Sequence, residues 1–359
     1  MNRLELVPTT ALGGRTMPKK ILFSIGALAL MAASLAPGVS MAQASGAHRS
    51  VPALHDGVVV DAAAGAAYVM SPGGGIEARE LATGNLLWKS AEAAKPLMVM
   101  DGTLVAQAPP APEGDLVVVT LDSAQGTAKE RKNIKLPPGQ RANITDSPSR
   151  SFRAQAFPAD DGGVIVSWTS EDGRSLQGIA PPEVDTPQVD AKAAAVIAEA
   201  AKNAERRRRG AVRLDLRSGG VTPMPYAEAQ AKARIPVLSA RIGGGANKAA
   251  GAALGQLTSL DGRHVLTSER NPEDSWNRYR WTLTDASGAT VGTFVAPVSM
   301  APFVVSGSRV LYVAEPTLRK EGSQFVDKPL RLRAVDLQTG AEAWEAAVVD
   351  TTFRGPFPP

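Results

Sequence analysis

Asp336-Leu337-Gln338-Thr339-Gly340-Ala341-Glu342-Ala343-Trp344 repeats the anchor positions of a stretch 256 residues earlier, Glu80-Leu81-Ala82-Thr83-Gly84-Asn85-Leu86-Leu87-Trp88. Each reads acid, two spacers, Thr-Gly, three spacers, Trp. Each also follows an apolar/polar alternating run, Ile76 to Arg79 in one case and Leu330 to Val335 in the other. Alternation is the mark of a half-buried strand, and a strand–turn–strand unit that recurs is the mark of a repeat architecture.

Working outward from the first copy, Val58-Val59-Val60, Ala67 to Met70, Ile76 to Leu81 and Leu86 to Lys89 are separated by Ala64-Gly65, Pro72-Gly73-Gly74 and Thr83-Gly84, which reads as four antiparallel strands. The second copy closes an equivalent set: Phe303 to Val305, Val310 to Val313, Leu330 to Val335 and Glu342 to Val348. Three weaker copies end in Asp122-Ser123-Ala124-Gln125-Gly126, Asp215-Leu216-Arg217-Ser218-Gly219 and Thr284-Asp285-Ala286-Ser287-Gly288. In all five the glycine follows a polar position by four residues, which suits a hairpin with one left-handed residue.

The turn glycines 84, 126, 219, 288 and 340 are spaced by 42, 93, 69 and 52 residues. One four-stranded propeller blade takes ~40–50 residues. The chain is therefore expected to be all-β, a β-propeller of four-stranded antiparallel blades. Five are recognisable, and the two long gaps leave room for a sixth or seventh. Those gaps also hold insertions, 181–210 and 226–255. In the first, Asp190 to Arg209 reads as an α-helix, with Asp190 as N-cap, Gly210 as stop and Arg206-Arg207-Arg208-Arg209 in the last turn, complementing the helix dipole. The second holds an Ala-rich stretch from Tyr226 to Arg234 and a Gly/Ala-rich stretch, 243–255, that reads as a mobile loop.

The repeat resembles that of the pyrroloquinoline-quinone-like β-propeller family, whose consensus runs Ala-x-Asp-x-x-Thr-Gly-x-x-x-Trp. Ala334, Asp336, Thr339, Gly340 and Trp344 match throughout; Ala78, Thr83, Gly84 and Trp88 match with Glu80 for the Asp. The resemblance implies structural roles for these residues, with Trp packed between blades and Thr-Gly making the hairpin. A stacked Trp would bury ~150–250 Å². Ring closure is expected to pair a strand around Val58-Val60 with the last blade. Enzymes of this family carry pyrroloquinoline quinone with calcium and oxidise alcohols or sugars; many pair the cofactor with adjacent cysteines, and this chain has no cysteine at all.

Residues 1–44 have the layout of an export signal: Lys19-Lys20, an uncharged run from Ile21 to Ala36, Pro37-Gly38, then Ala42-Gln43-Ala44 with cleavage before Ser45. An uncleaved anchor is the competing reading, and the run of 16 residues is short of the ~20 that span a bilayer. Translation from Met1 or from Met17 fits equally. The leader holds four of the 39 basic and one of the 35 acidic residues, so the net charge of +4 falls to +1 over 45–359. That balance gives no footprint for nucleic acid. Residues 45–359 are read as one propeller domain stabilised by burial alone, since thiol catalysis, Cys-ligated metals and lipidation all need a Cys. The expected compartment is the periplasm.

No candidate site emerges as strongly as the fold. His48 and His55 sit near the new N-terminus and read as tail; His264 reads as a turn residue entering a strand. Gly243-Gly244-Gly245-Ala246-Asn247-Lys248 lacks the glycine that a phosphate loop needs before its Lys. No metal-ligand cluster stands out, and the acids recur at turns. The strongest charge cluster, Arg206 to Arg209, would dock an acidic protein partner or an anionic membrane surface. The expected function is an exported, non-catalytic binding or scaffolding propeller of the cell envelope with protein partners and no cofactor. The alternative is a periplasmic quinoprotein-like oxidoreductase using pyrroloquinoline quinone and calcium.

Overall fold

The computed structural model of the chain describes residues 48–146, 150–172, 207–232, 253–271, 278–314, 318–321, 324–327 and 330–351. The chain divides into two units, Met1–Gly46, which lies outside the described residues, and Ala47–Pro359.

The second unit is a β-propeller with five blades among the described residues. Strand β1 (Ser50–His55) precedes them. Blade 1 is β2 (Val58–Asp61), β3 (Ala66–Met70), β4 (Ile76–Glu80) and β5 (Leu86–Ser90); blade 2 is β6 (Lys95–Met100), β7 (Thr103–Ala108), β8 (Leu116–Asp122) and β9 (Ala128–Ile134). Blade 3 is β10 (Arg150–Pro158), β11 (Val164–Asp172), β12 (Arg207–Leu214) and β13 (Val221–Met224), followed by the helix α1 (Tyr226–Lys232). Blade 4 is β14 (Ala253–Thr258), β15 (His264–Arg270), β16 (Tyr279–Asp285) and β17 (Thr290–Ala296). Blade 5 is β18 (Phe303–Ser306), β19 (Arg309–Ala314), β22 (Arg331–Asp336) and β23 (Glu342–Ala347), with a side hairpin of β20 (Leu318–Glu321) and β21 (Gln324–Asp327). All pairings are antiparallel.

Burial along each blade follows from its place in the ring. The inner strands β2 and β6 are buried at every position because a blade covers each of their faces. The outer strands β5 and β9 run mostly exposed along the rim and carry Lys89, Lys129 and Lys132. Such charges also discourage edge-to-edge pairing. Apolar clusters join blade 1 to blade 2, blade 2 to blade 3, blade 4 to blade 5, and blade 5 back to blade 1.

Three expectations need correction. The helix over 190–209 does not reach its arginines: Arg207, Arg208 and Arg209 lie in β12, opposite Glu171, Ser170 and Thr169 of β11. Residues 190–206, Arg206 included, lie outside the described residues. Gly210 is no helix stop but a mid-strand residue, and a Cβ there would strike the Trp168 ring. Sequence alone could not choose between the dipole argument and a strand, because the partner strand is what settles it. Closure also differs. Strand β2 pairs with β1 and β3, and β1 continues onto β6, so the first two blades fuse into one nine-stranded sheet. Blade 5 closes on blade 1 mainly by side-chain packing, with Val349 N just past β23 donating to Met70 O of β3 at 3.1 Å. Finally, the polar anchor of the fourth turn is Asp285, whose carbonyl accepts from Gly288 N at 3.0 Å, one residue later than the spacing from Thr284. The second insertion holds α1, residues 233–252 lie outside the described residues, and 253–255 already belong to β14.

Candidate functional site

The repeat residues form the seams of the ring. Gly84, Gly126, Gly219 and Gly340 each donate their N–H at 2.8 Å to the carbonyl of the acid four residues earlier. The acid's own carboxylate caps the turn: Asp336 Oδ1 accepts from Gln338 N at 3.0 Å and Thr339 N at 2.9 Å, and Glu80 Oε2 accepts from the Thr83 hydroxyl at 2.5 Å. These donors hold the Asp336 carboxyl below the usual range, the Thr339 amide first among them.

After each turn the outer strand carries one extra residue, Leu87, Lys129, Val291 or Ala343, in blades 1, 2, 4 and 5. Such a bulge sharpens the local twist and re-aims the side chain beside it. Trp88 and Trp344 follow the bulge directly, opposite Ala78 and Ala334. Each then lies over the turn glycine of the next blade. Trp88 covers Gly126 and donates to Ser123 O at 3.1 Å; Trp344 covers Gly84 and donates to Leu81 O at 3.0 Å. A Cβ on Gly84, whose φ is +76°, would stand 2.6 Å from Trp344 Cγ. In blade 2 the same position holds Glu130, whose carboxylate covers Gly219 of blade 3. Glu80, Thr83, Gly84, Trp88, Asp336, Thr339, Gly340 and Trp344 are thus spent on joining blades.

Besides a concavity at the seam of blades 5 and 1, with Gly65, Leu81, Ser308 and Arg309 in its lining, two stand out among the described residues. The first lies at the axis and draws its lining from β1, the turn after it and blades 2 to 5: Leu54, Asp56, Leu97, Phe157, Leu260 and Pro302 among them, around about 280 Å³. Behind it sits a polar cluster that the sequence reading missed. Lys95 is 0% exposed, and its ammonium lies 2.6 Å from Asp56 Oδ1, an ion pair without the alignment of a hydrogen bond. Its cross-strand partner Gln107 donates to Asn143 O at 3.0 Å and leaves Oε1 buried and unpartnered. The buried Thr351 ties the cluster together: its hydroxyl donates to Asp56 Oδ2, and its carbonyl accepts from Asp146 N at 2.7 Å. Burial pushes the Asp146 carboxyl up, against hydrogen bonding from Phe152 N and the charges of Arg153 and Lys95. His55, read as tail, lines the cavity with Nδ1 3.0 Å from Asp56 O. His48 is likewise placed, 2.6 Å from Asp101.

The axial lining does not fit pyrroloquinoline quinone. That group is a tricarboxylate, whereas the lining side chains are mostly aliphatic and include the Asp56 carboxylate, with the neighbouring ammonium already committed to it. Among the described residues no three His, Asp or Glu gather as metal ligands.

The second concavity, about 520 Å³, lies on the flank of blade 3 under α1 and is polar: Ser151, Arg153, Thr169, Glu171, Arg209, Tyr226 and Gln230 line it. The opposite face of the same sheet, with Phe152, Val166, Trp168 and Val212, is sealed against blade 2. Blade 4 shows the same asymmetry. Leu266, Trp281 and Leu283 pack toward blade 5, while Gln256, Thr267, Glu269, Arg280 and Thr282 on its other face stay partly or fully exposed. No apolar cluster joins blades 3 and 4 among the described residues. The sequence signal was available in the middle of these strands, where Phe152, Ala154 and Trp168 alternate with Arg153, Gln155 and Thr169 rather than with small side chains.

No family model matches the chain, and no curated protein matches it in sequence. Among solved structures it is similar to BamB from Moraxella catarrhalis, at 11% identity over 69% of this chain and 66% of that one, with a TM-score of 0.22. It is also similar to hydrazine synthase from Kuenenia stuttgartiensis (12% identity, 82% of this chain and 80% of that one, TM-score 0.25). A third is the Swd1 β-propeller domain of a Myceliophthora thermophila protein (9% identity, 82% and 86%, TM-score 0.21). The chain spans just under two thirds of the length of BamB. The fold rests on the sheets themselves and not on these likenesses.

Proposed function

We propose that the chain is an exported β-propeller of the cell envelope that works by holding a protein partner and carries out no chemistry of its own. The observation that carries this reading is the polar flank of blade 3. Four junctions of the ring are packed with apolar side chains, and here, among the described residues, a sheet face of the same construction carries a polar cleft fringed by arginine and tyrosine. Tyr and Arg are the residues on which protein interfaces concentrate their binding energy. No helix among the described residues is long and apolar enough to cross a membrane.

The test is a photo-crosslinking side chain placed at Gln230, on the rim of the flank, and at the exposed Gln125 as control, in cells that express the chain. A discrete protein adduct from position 230 and none from 125 is expected; adducts from neither would defeat the reading. Export is checked by the N-terminus of the purified chain, expected at Ser45. The oxidoreductase alternative predicts a thermal shift and dye-coupled alcohol or sugar oxidation on adding pyrroloquinoline quinone and calcium; neither response is expected.

A further inference from the structure

Arg153, Thr169 and Arg209 are direct cross-strand partners on three neighbouring strands. Direct partners share a face, and a strand spacing of ~4.8 Å sets the two arginine backbones ~10 Å apart with the Thr169 hydroxyl between them. One row along, Ser151 stands opposite Glu171, the single carboxylate of the lining. The Arg209 guanidinium lies 5.5 Å from the centre of the Tyr226 ring. That cation–π contact restricts the side chain before any partner arrives, which lowers the entropic cost of binding. Arg153 makes an ion pair with Asp146. The pair is long, 3.7 Å, and Arg153 is 56% exposed, so a carboxylate in the cleft can compete for it.

We infer that this cleft binds an acidic protein segment and seats a Glu or Asp carboxylate between Arg153 and Arg209. Two planar guanidinium forks match a carboxylate in a bidentate manner, and the hydroxyls of Thr169 and Ser151 and the amide of Gln230 supply further polar partners. The volume, about 520 Å³, lies within the ~300–1,000 Å³ of ligand clefts, and Tyr226 offers a face for the segment's aliphatic atoms. The same geometry disfavours a membrane surface. Along a strand alternate side chains point to opposite faces, and Arg208 turns away from the cleft, donating to Pro138 O at 3.0 Å. The run Arg207 to Arg209 is therefore divided between two faces and is not presented whole to lipid headgroups. This inference rests on the reading of the chain as a protein-binding module and names the chemistry of its partner.

Fluorescence anisotropy of a labelled hexaglutamate peptide, titrated with the full chain at low and at physiological salt, tests it. Saturable binding that weakens with salt is expected. The double variant Arg153→Ala/Arg209→Ala should lose at least tenfold in affinity, Glu171→Gln should gain a few-fold, and Arg208→Ala should change it less than twofold. Near-UV circular dichroism, dominated by the buried Trp281 and Trp168, reports that each variant is folded. The inference is overturned if the peptide does not bind, if the double variant binds it equally, or if Arg208→Ala costs as much as Arg209→Ala, which would be unspecific attraction to basic charge. Binding to phosphatidylglycerol vesicles but not to the peptide would also overturn it. A crosslinked partner from position 230 together with no peptide binding would leave the binding-module reading standing and remove only the acidic segment.

Discussion

The junction of blades 5 and 1 and the flank of blade 3 are built from the same four-stranded sheet and end in opposite states. At the first, Trp344 lies over Gly84, Arg309 donates to Leu81 O at 3.0 Å, and Leu311, Leu332 and Ala334 meet Val58, Val60 and Val69 in one dry cluster. At the second, the position four residues past the turn glycine holds Pro223, β13 pairs with β12 without a bulge, and Gly288 in blade 4 has open space where a Cβ would go. At the seam of blades 5 and 1 and at that of blades 1 and 2 a Trp aimed by the bulge meets a turn glycine of the next blade, whereas blades 4 and 5 seal through Trp281, Phe294, Phe303 and Tyr312, with Gly292 in the Trp position against Leu337. On the flank of blade 3 the facing side chains are polar, and the described residues form no such cluster toward blade 4.

The largest effect that could break this contrast is Trp344→Ala, which should cost about 3 kcal/mol in urea unfolding, through lost packing and the lost bond to Leu81 O. Trp88→Ala should cost a similar amount, and a loss below about 1 kcal/mol at both would mean that the seams are not what holds the ring. Lys95→Ala comes next, at about 2 kcal/mol, because it strips the cation from Asp56; partial exposure of Asp56 holds the cost below that of a fully buried pair. On the open side, Arg153→Ala/Arg209→Ala should leave stability within about 0.5 kcal/mol of the parent, since those side chains seal nothing.

The smallest effects concern pH. Asp122, Asp215, Asp285 and Asp336 are all held below the usual carboxylate range. Lys129 is foremost for Asp122 and the Ser287 hydroxyl for Asp285, while backbone amides are foremost for Asp215 and Asp336. A lowered carboxyl contributes stability that is complete above its unfolded pKa and is lost as pH falls through the folded one. Thermal melts should therefore fall together on acidification below the ordinary carboxylate range. Asp146 has the opposite sign: burial raises it, so its cost to the fold appears as pH rises through its folded pKa. Asp146→Asn keeps an acceptor for Phe152 N and should raise the melting temperature slightly at pH 7 and not at pH 4; a fall at pH 7 would show that its charge is needed by Lys95.

Much of the ring is legible in the sequence because its signals are local. Alternation sets the strands, and an acid followed four residues later by glycine sets the hairpin, so blades 1 and 5 emerge strand by strand. Three things are not local. Arg207 to Arg209 carry the composition of a helix end, and only β11 alongside makes them a strand. Thr351 lies 295 residues from Asp56, and nothing in the sequence links the two until the last blade brings the chain back to the axis. The split of the arginines between two faces likewise depends on the register of β12.

Taken by itself, the chain determined its repeating unit, because turn chemistry and strand period act over a few residues. Which junctions close and which stay open was decided in three dimensions. Closure rests on side chains that meet across blades, at two seams a Trp over a glycine of the next blade, and such pairing is long-range. The two Thr-Gly-x-x-x-Trp copies meet in this way across blades 5 and 1, and the polar row Arg153–Thr169–Arg209 lies where no apolar cluster joins two blades among the described residues.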